Sequence, residues 1–201
     1  MNKALLSWLL VFFGVLIWSA IGPHDYPTWA LEVAPAVIAF GILVYTRKRF
    51  PLTPLTYTLI LVHCVILIVG GHYTYAKVPL GDYVSELLGW ERNNYDKLGH
   101  LAQGFVPAII AREISVRLQV FRSNAWMNVY VVGLCLGISA FYEMIEWWVA
   151  LLSSDASDAF LGTQGYVWDT QSDMAMALLG AIAALLTLGR VQDRQIHALQ
   201  N

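Results

Sequence analysis

Charge is what this 201-residue chain lacks most. Lys, Arg, Asp and Glu together make up 13% of it, about half the ~25% of an ordinary soluble domain. That shortage excludes a solvated globular surface. Cysteine is nearly absent, and Cys64 and Cys135 each sit in the middle of an apolar run. Both read as core thiols and not as a disulfide framework. No basic block occurs and the net charge is −2, so nucleic acid is not an expected partner. No motif carrying a nucleophilic serine or cysteine is present, nor an internal repeat, nor a stretch that reads as a soluble domain.

What is present is hydrophobic: 58% of residues, in five or six long runs. A hydrocarbon core of ~30 Å needs about 20 helical residues. The expectation is an all-α, polytopic transmembrane helix bundle. It forms a single domain over 1–201, with spans near 4–22, 29–46, 55–72, 97–112, 127–152 and 172–189. The first run could resemble a signal peptide, but cleavage after Ala20 would put Trp18 where a small residue is wanted, so it reads as a retained helix. Tyr73 to Tyr95 mixes charges with Tyr83, Leu87, Leu88 and Trp90, the pattern of an interfacial amphipathic helix or of a surface loop. Gly133 and Gly137 are four apart, a spacing that permits close helix approach.

With six spans and both termini cytoplasmic, the inner segments hold Lys3, Arg47, Lys48, Arg49, Arg112, Arg117, Arg122, Arg190 and Arg194. The outer ones hold Lys77, Arg92, Lys97 and most of the acids. This is a strong positive-inside bias.

Orientation turns scattered polar residues into a candidate site. Asp96-Lys97-Leu98-Gly99-His100 starts the fourth run, Glu143 and Glu146 lie in the second half of the fifth, and Asp169 and Asp173 start the sixth. All fall toward the outer side, with His72 at the outer end of the third run. The i,i+4 and i,i+3 spacings put each pair on one helix face. Ionisable groups inside a membrane are expensive and mark functional positions by default. His100, Glu143, Glu146 and Asp173 are the candidate catalytic residues; Lys97, His72 and Asp169 are candidates for substrate binding. Asp96 and Asp169 are equally well explained as helix-end residues. His63, alone at mid-membrane, reads as a satisfied core histidine. His72, His100, Glu143 and Asp173 would make a mixed N/O set suited to Zn²⁺ or Mn²⁺. No ligand spacing supports that set, so no metal and no cofactor is assigned from the sequence.

At these residues the chain resembles the YjdF-type bacterial inner-membrane proteins. The resemblance is carried by Gly71-His72-Tyr73-Thr74-Tyr75, Asp96-Lys97-Leu98-Gly99-His100, Tyr142-Glu143-Met144-Ile145-Glu146-Trp147 and the segment Gly165 to Met174. It implies a multi-pass protein of the bacterial cell inner membrane, without an established activity. The chain is more distantly similar to VanZ-like proteins: Lys97, His100, Glu143, Asp173 and Gly180 fit their pattern, while Glu146 and Ala177 stand where that pattern has Gln and Asn. VanZ-like proteins are associated with glycopeptide tolerance at the cell envelope, which implies membrane lipids or envelope precursors as partners. Three readings follow: an enzyme or binder for an envelope lipid, a non-catalytic assembly or stability factor, and a small proton-coupled transporter. The transporter needs a path inward, and the inner half of the bundle reads as nearly free of polar groups.

Overall fold

The computed structural model describes residues 3–152 and 163–200, and these residues form helices, with no strand among them. Asp155 and Asp158 of the acidic loop lie outside the described residues. The helices are α1 (Lys3–Ser19), α2 (Tyr26–Thr46), α3 (Pro54–Tyr73), a 3-10 turn (Tyr75–Lys77), α4 (Pro79–Leu88), α5 (Tyr95–Arg117), α6 (Asn124–Leu152) and α7 (Asp169–Gln200).

Four of them, α2, α3, α6 and α7, are long and apolar enough to cross a membrane. Helix α1 is apolar but has 17 residues. Helix α5 carries Asp96, Lys97, Arg112, Glu113 and Arg117 along its length. The expectation of six spans is therefore met by length and composition at four helices. Two boundaries also move. Helix α5 continues past Arg112 to Arg117 because Glu113, one turn before its end, is fully buried and partnered. Helix α7 continues past 189 to Gln200, with Gln192 and Ile196 buried on its inward side. The connection between α3 and α5 holds α4, whose Leu80, Tyr83, Leu87 and Leu88 face outward, in keeping with an amphipathic interfacial helix.

Helix starts follow local chemistry. Asp25 caps α2 by accepting a hydrogen bond from the Thr28 N–H at 2.8 Å, and that bonding holds its carboxyl below the usual aspartate range. Its contribution to stability is therefore present above the ordinary aspartate pKa and lost as pH falls through the lowered one. Thr53 caps α3 in the same way, with Pro54 following at the first helical position, where its missing N–H costs nothing.

Helix α5 is the centre, packed against α3, α6 and α7. Its crossing with α7 is the closest in the molecule among described glycines. A Cβ on Gly104 would lie 1.8 Å from the Ala177 carbonyl oxygen, and one on Gly180 would lie 2.1 Å from that of Leu101. Ala177 is small for the same reason. Gly133 and Gly137 are not at a crossing: nothing approaches within 4 Å of a Cβ at either. The face of α6 that carries them is exposed, so the spacing expected to mark a helix contact marks an outward face. Apolar cores gather around Phe12, Val33, Ile60 and Ile68, and around Ile109, Val131 and Ala181. Cys64 and Cys135 are buried, one in each core, and unbonded, as expected for core thiols. Large apolar residues such as Ile38, Ile42, Val129 and Phe141 face outward, a surface fit for lipid.

One expectation about the interior is overturned. The half of the bundle away from the candidate site is not free of polar groups. Glu113 is fully buried. Its carboxylate accepts from the Thr53 N–H (2.8 Å), the Thr53 and Thr56 hydroxyls (2.7 and 2.6 Å) and Arg117 (3.1 Å). Beside it, Gln192 donates to the Ile109 carbonyl at 2.7 Å and accepts from Arg112 at 3.0 Å. Both fall just beyond the expected spans, which ended at 112 and 189, among the charged Arg112, Arg117, Asp193 and Arg194, so along the sequence they read as exposed helix ends.

Candidate functional site

Four helices and one connection bring their ionisable groups to one end of the bundle. Asp96, Lys97 and His100 come from the first turns of α5, and Glu143 and Glu146 from the second half of α6. Asp169 and Asp173 come from the first turns of α7, Glu32 from α2, and Arg92 from the connection before α5. Glu32, His100, Glu143, Glu146, Asp169 and Asp173 are all less than a tenth exposed.

The cations are spent on α7. Lys97 Nζ lies 2.7 Å from Oδ1 of Asp169 and 2.7 Å from Oδ1 of Asp173. Arg92 Nη1 lies 2.8 Å from Asp169. Asp169 is thus an ion-pair partner and not merely a helix-end residue. Arg92 Nε and Nη2 are buried with no hydrogen-bond partner. Both cationic side chains stand over the Tyr166 ring, at 5.2 and 5.7 Å from its centroid. Arg92, Lys97, Tyr166, Trp90 and Ser172 line an open groove of about 650 Å³ beside the cluster.

His100 occupies the middle of the remaining acids. Its Nδ1 lies 3.1 Å from Oε1 of Gln103, one turn on along α5. That oxygen only accepts, so Nδ1 donates to it and Nε2 faces the cluster. Around Nε2 stand Asp96 Oδ1 at 3.5 Å, Glu143 Oε1 at 3.7 Å and Asp173 Oδ1 at 3.8 Å. These are longer than hydrogen bonds. Glu143 Oε1 is buried and accepts no hydrogen bond. Glu146 stands with His100 and Glu143, their nearest ligand atoms all within 4.8 Å of one another. Asp96, which a helix end would have explained, belongs to the cluster; the α5 N-terminus is served instead by Asn93, whose Oδ1 accepts from the Tyr95 N–H at 3.0 Å.

Glycines make the room. Tyr75 follows Thr74, held at φ 59°, and its ring lies where a Cβ on Gly70 or Gly99 would be, at 2.6 and 2.9 Å. Its hydroxyl faces Glu32, which also accepts from the Tyr142 hydroxyl at 3.2 Å. The segments Gly71–Tyr75, Asp96–His100 and Tyr142–Trp147 therefore meet at one place. Asn93 fixes Arg92 nearby by donating to Val78 O and Asp82, at 2.9 and 2.7 Å.

Of the sequence candidates, Lys97, His100, Glu143, Glu146, Asp169 and Asp173 come together. His72 does not join them. Its Nδ1 meets the Ser19 carbonyl at 2.9 Å and its ring stacks against Trp18 and Tyr73. It ties α3 to α1. His63 is not a satisfied core histidine, since its Nε2 has no partner. Sequence reasoning missed Glu32, Arg92, Gln103 and Tyr142. A buried acid within an apolar run was the available signal for Glu32. Gln103 was the sole polar residue between Leu101 and Ala111, on the face of His100. Nothing in the sequence marks Arg92.

The family described as "Predicted membrane protein (DUF2238)" matches residues 4–194. The chain belongs to this family. It is also 53% identical to the inner membrane protein YjdF of Escherichia coli (strain K12) over 183 residues, covering 91% of this chain and 88% of that one. No solved structure matches. The protein is thus a bacterial inner-membrane protein of a family without a characterised activity, helical and built around several apolar spans.

Proposed function

We propose that the protein binds the anionic headgroup of an envelope lipid, or of a lipid-linked precursor, in the groove beside the His100 cluster, on the outer side of the membrane. The observation that carries this reading is the pairing of the Arg92 and Lys97 side chains on one groove wall, both against the Tyr166 ring. A guanidinium beside an ammonium suits phosphate or carboxylate. Charge supports the outer side: Arg47, Lys48, Arg49 and Arg122 in connections, Arg112 and Arg117 at the end of α5, and Arg190 and Arg194 in the second half of α7 lie away from the site, the bias expected of a cytoplasmic side. Paired carboxylates beside His100 supply acid–base groups next to a bound headgroup, so the site suits an enzyme as well as a binder.

The test titrates short-chain phosphatidylglycerol into the detergent-solubilised protein in the presence of chelator, with phosphatidylcholine as the comparator. The anionic lipid is expected to bind tighter. Arg92→Gln is expected to reduce that preference by about 10-fold, the loss of one charge-assisted contact of ~1.4 kcal/mol, with helix content unchanged. Equal binding of the two lipids would sink the reading. A non-catalytic assembly role would instead predict that Arg92→Gln changes stability alone.

A proton-coupled transporter is the second reading, and His63 favours it. Its unpartnered Nε2 lies on α3 in electrostatic range of His100, a candidate step from the His100 cluster toward the buried Glu113 and Gln192. Vesicles holding the protein should then acidify under an imposed gradient, and Glu143→Gln and His63→Phe should each abolish the flux. Flux equal to that of empty vesicles removes this reading.

A further inference from the structure

We propose that His100, Glu143 and Glu146 ligate one divalent transition-metal ion, with the carboxylates of Asp96 and Asp173 beside the imidazole. This goes beyond headgroup binding and stands on separate observations.

The first is charge. Glu32, Asp96, Glu143, Glu146, Asp169 and Asp173 converge on one buried volume. Arg92 and Lys97 are taken up by Asp169 and Asp173. Tyr142 donates to Glu32. Asp96, Glu143 and Glu146 are left with a single imidazole between them. Buried carboxylates in that number are held either by protons or by a compensating cation, and a divalent ion would supply the second.

The second is geometry. The distances from His100 Nε2 to three carboxylate oxygens are 3.5, 3.7 and 3.8 Å. They are too long for hydrogen bonds, and Glu143 shares a close group with His100 and Glu146 but not with Asp96 and Asp173, so one ion with ~2.1 Å ligand bonds would reach His100, Glu143 and Glu146 together. Two overlapping sets, Asp96–His100–Asp173 and His100–Glu143–Glu146, share the histidine. Helix α5 supplies the imidazole, and the i,i+3 spacing of Glu143 and Glu146 lets one face of α6 supply both carboxylates.

The third is the state of the ligand atoms. Glu143 Oε1 points into the cluster, buried, with no donor to meet it. Gln103 holds the ring through Nδ1 and turns Nε2 toward the carboxylates, the orientation that an outer hydrogen bond imposes on a metal-bound histidine. One imidazole with several carboxylates suits Mn²⁺, Fe²⁺ or Zn²⁺ and is poorer for the all-oxygen preference of Mg²⁺. The site differs from the set the sequence offered: His72 and Asp173 drop out and Glu146 enters.

The full chain, purified in detergent and stripped with chelator, is equilibrated with Mn²⁺ or with Zn²⁺ alone, with no lipid added. One ion should bind per chain, and bound Mn²⁺ should show electron-spin coupling to an imidazole nitrogen that His100→Ala removes. Glu143→Gln, which keeps size and shape, should keep helix content and elution volume while weakening binding by at least ~10-fold. Gln103→Leu leaves every ligand present but frees the ring, and should weaken binding by about 10- to 100-fold. These two variants carry the test if His100→Ala does not fold. Substoichiometric uptake overturns the proposal, and so does uptake that Glu143→Gln leaves unchanged. Because the ion is measured without lipid and the headgroup under chelation, the two readings fail separately.

Discussion

Gly104→Ala is expected to destabilise the protein by ~3 kcal/mol or more, whereas Gly133→Ala is expected to be neutral or to stabilise it by up to ~1 kcal/mol. The two substitutions are chemically identical and both sit inside helices. At Gly104 the added methyl would lie 1.8 Å from the Ala177 carbonyl oxygen, a backbone atom that cannot rotate away. Restoring an ordinary ~3.5 Å contact would require α5 and α7 to part by roughly 1.5 Å at their crossing. The crossing also sets the reach of Lys97 to Asp173, so the variant should lose ligand-site geometry along with stability. At Gly133 nothing stands within 4 Å, and only the intrinsic preference of a helix for alanine remains. Unfolding in mixed micelles, followed by circular dichroism, reads both variants. Equal effects at the two glycines would show that the α5–α7 crossing is looser than described.

The same comparison shows how much of the fold was legible. The runs of α2, α3, α6 and α7 were read from hydropathy because their charged residues sit near the ends. Helix α5 was harder. Its Asp96, Lys97, Arg112, Glu113 and Arg117 make it polar for a buried helix, and its centre is set by what α3, α6 and α7 place around it. No one-dimensional pattern distinguishes Gly104, at a crossing, from Gly133, facing outward. That difference depends on the rotation of each helix about its axis.

The site was legible to the extent that cost marks function. Glu143, Glu146, Asp173 and His100 stood out as ionisable groups in apolar surroundings, and they do converge. His72 stood out equally, on the correct end of α3, yet it turns to α1 through Ser19. Depth along a helix was readable, and azimuth was not. Arg92 was unreadable for another reason. Its place is fixed by Asn93 and by Gln164, which accepts from the Asn93 N–H at 3.0 Å and donates to its carbonyl at 2.8 Å. These are long-range contacts with no local signature.

The two buried polar clusters differ in a way that composition alone hides, and this yields the second large effect. Around Glu113 every strong group is matched: both carboxylate oxygens accept, from Thr53, Thr56 and Arg117. Around His100 the acids outnumber the donors and Glu143 Oε1 accepts nothing. A matched cluster reads as a lock and an unmatched one as a site. Glu113→Ala should therefore cost ~3–5 kcal/mol, because it orphans the Thr53 N–H, leaves the Thr53 and Thr56 hydroxyls without their charged acceptor and removes the acidic partner of Arg117. Glu113→Gln should cost less, since one amide oxygen still accepts while the amide nitrogen faces donors. Glu143→Gln should move stability by under ~1 kcal/mol, because no hydrogen bond to Oε1 is lost and one negative charge leaves a crowded site. Chemical unfolding of the three variants at neutral pH, in chelator, tests the ordering. If Glu143→Gln proves as damaging as Glu113→Ala, the His100 cluster is a structural lock and the division of labour between the two ends of α5 is wrong.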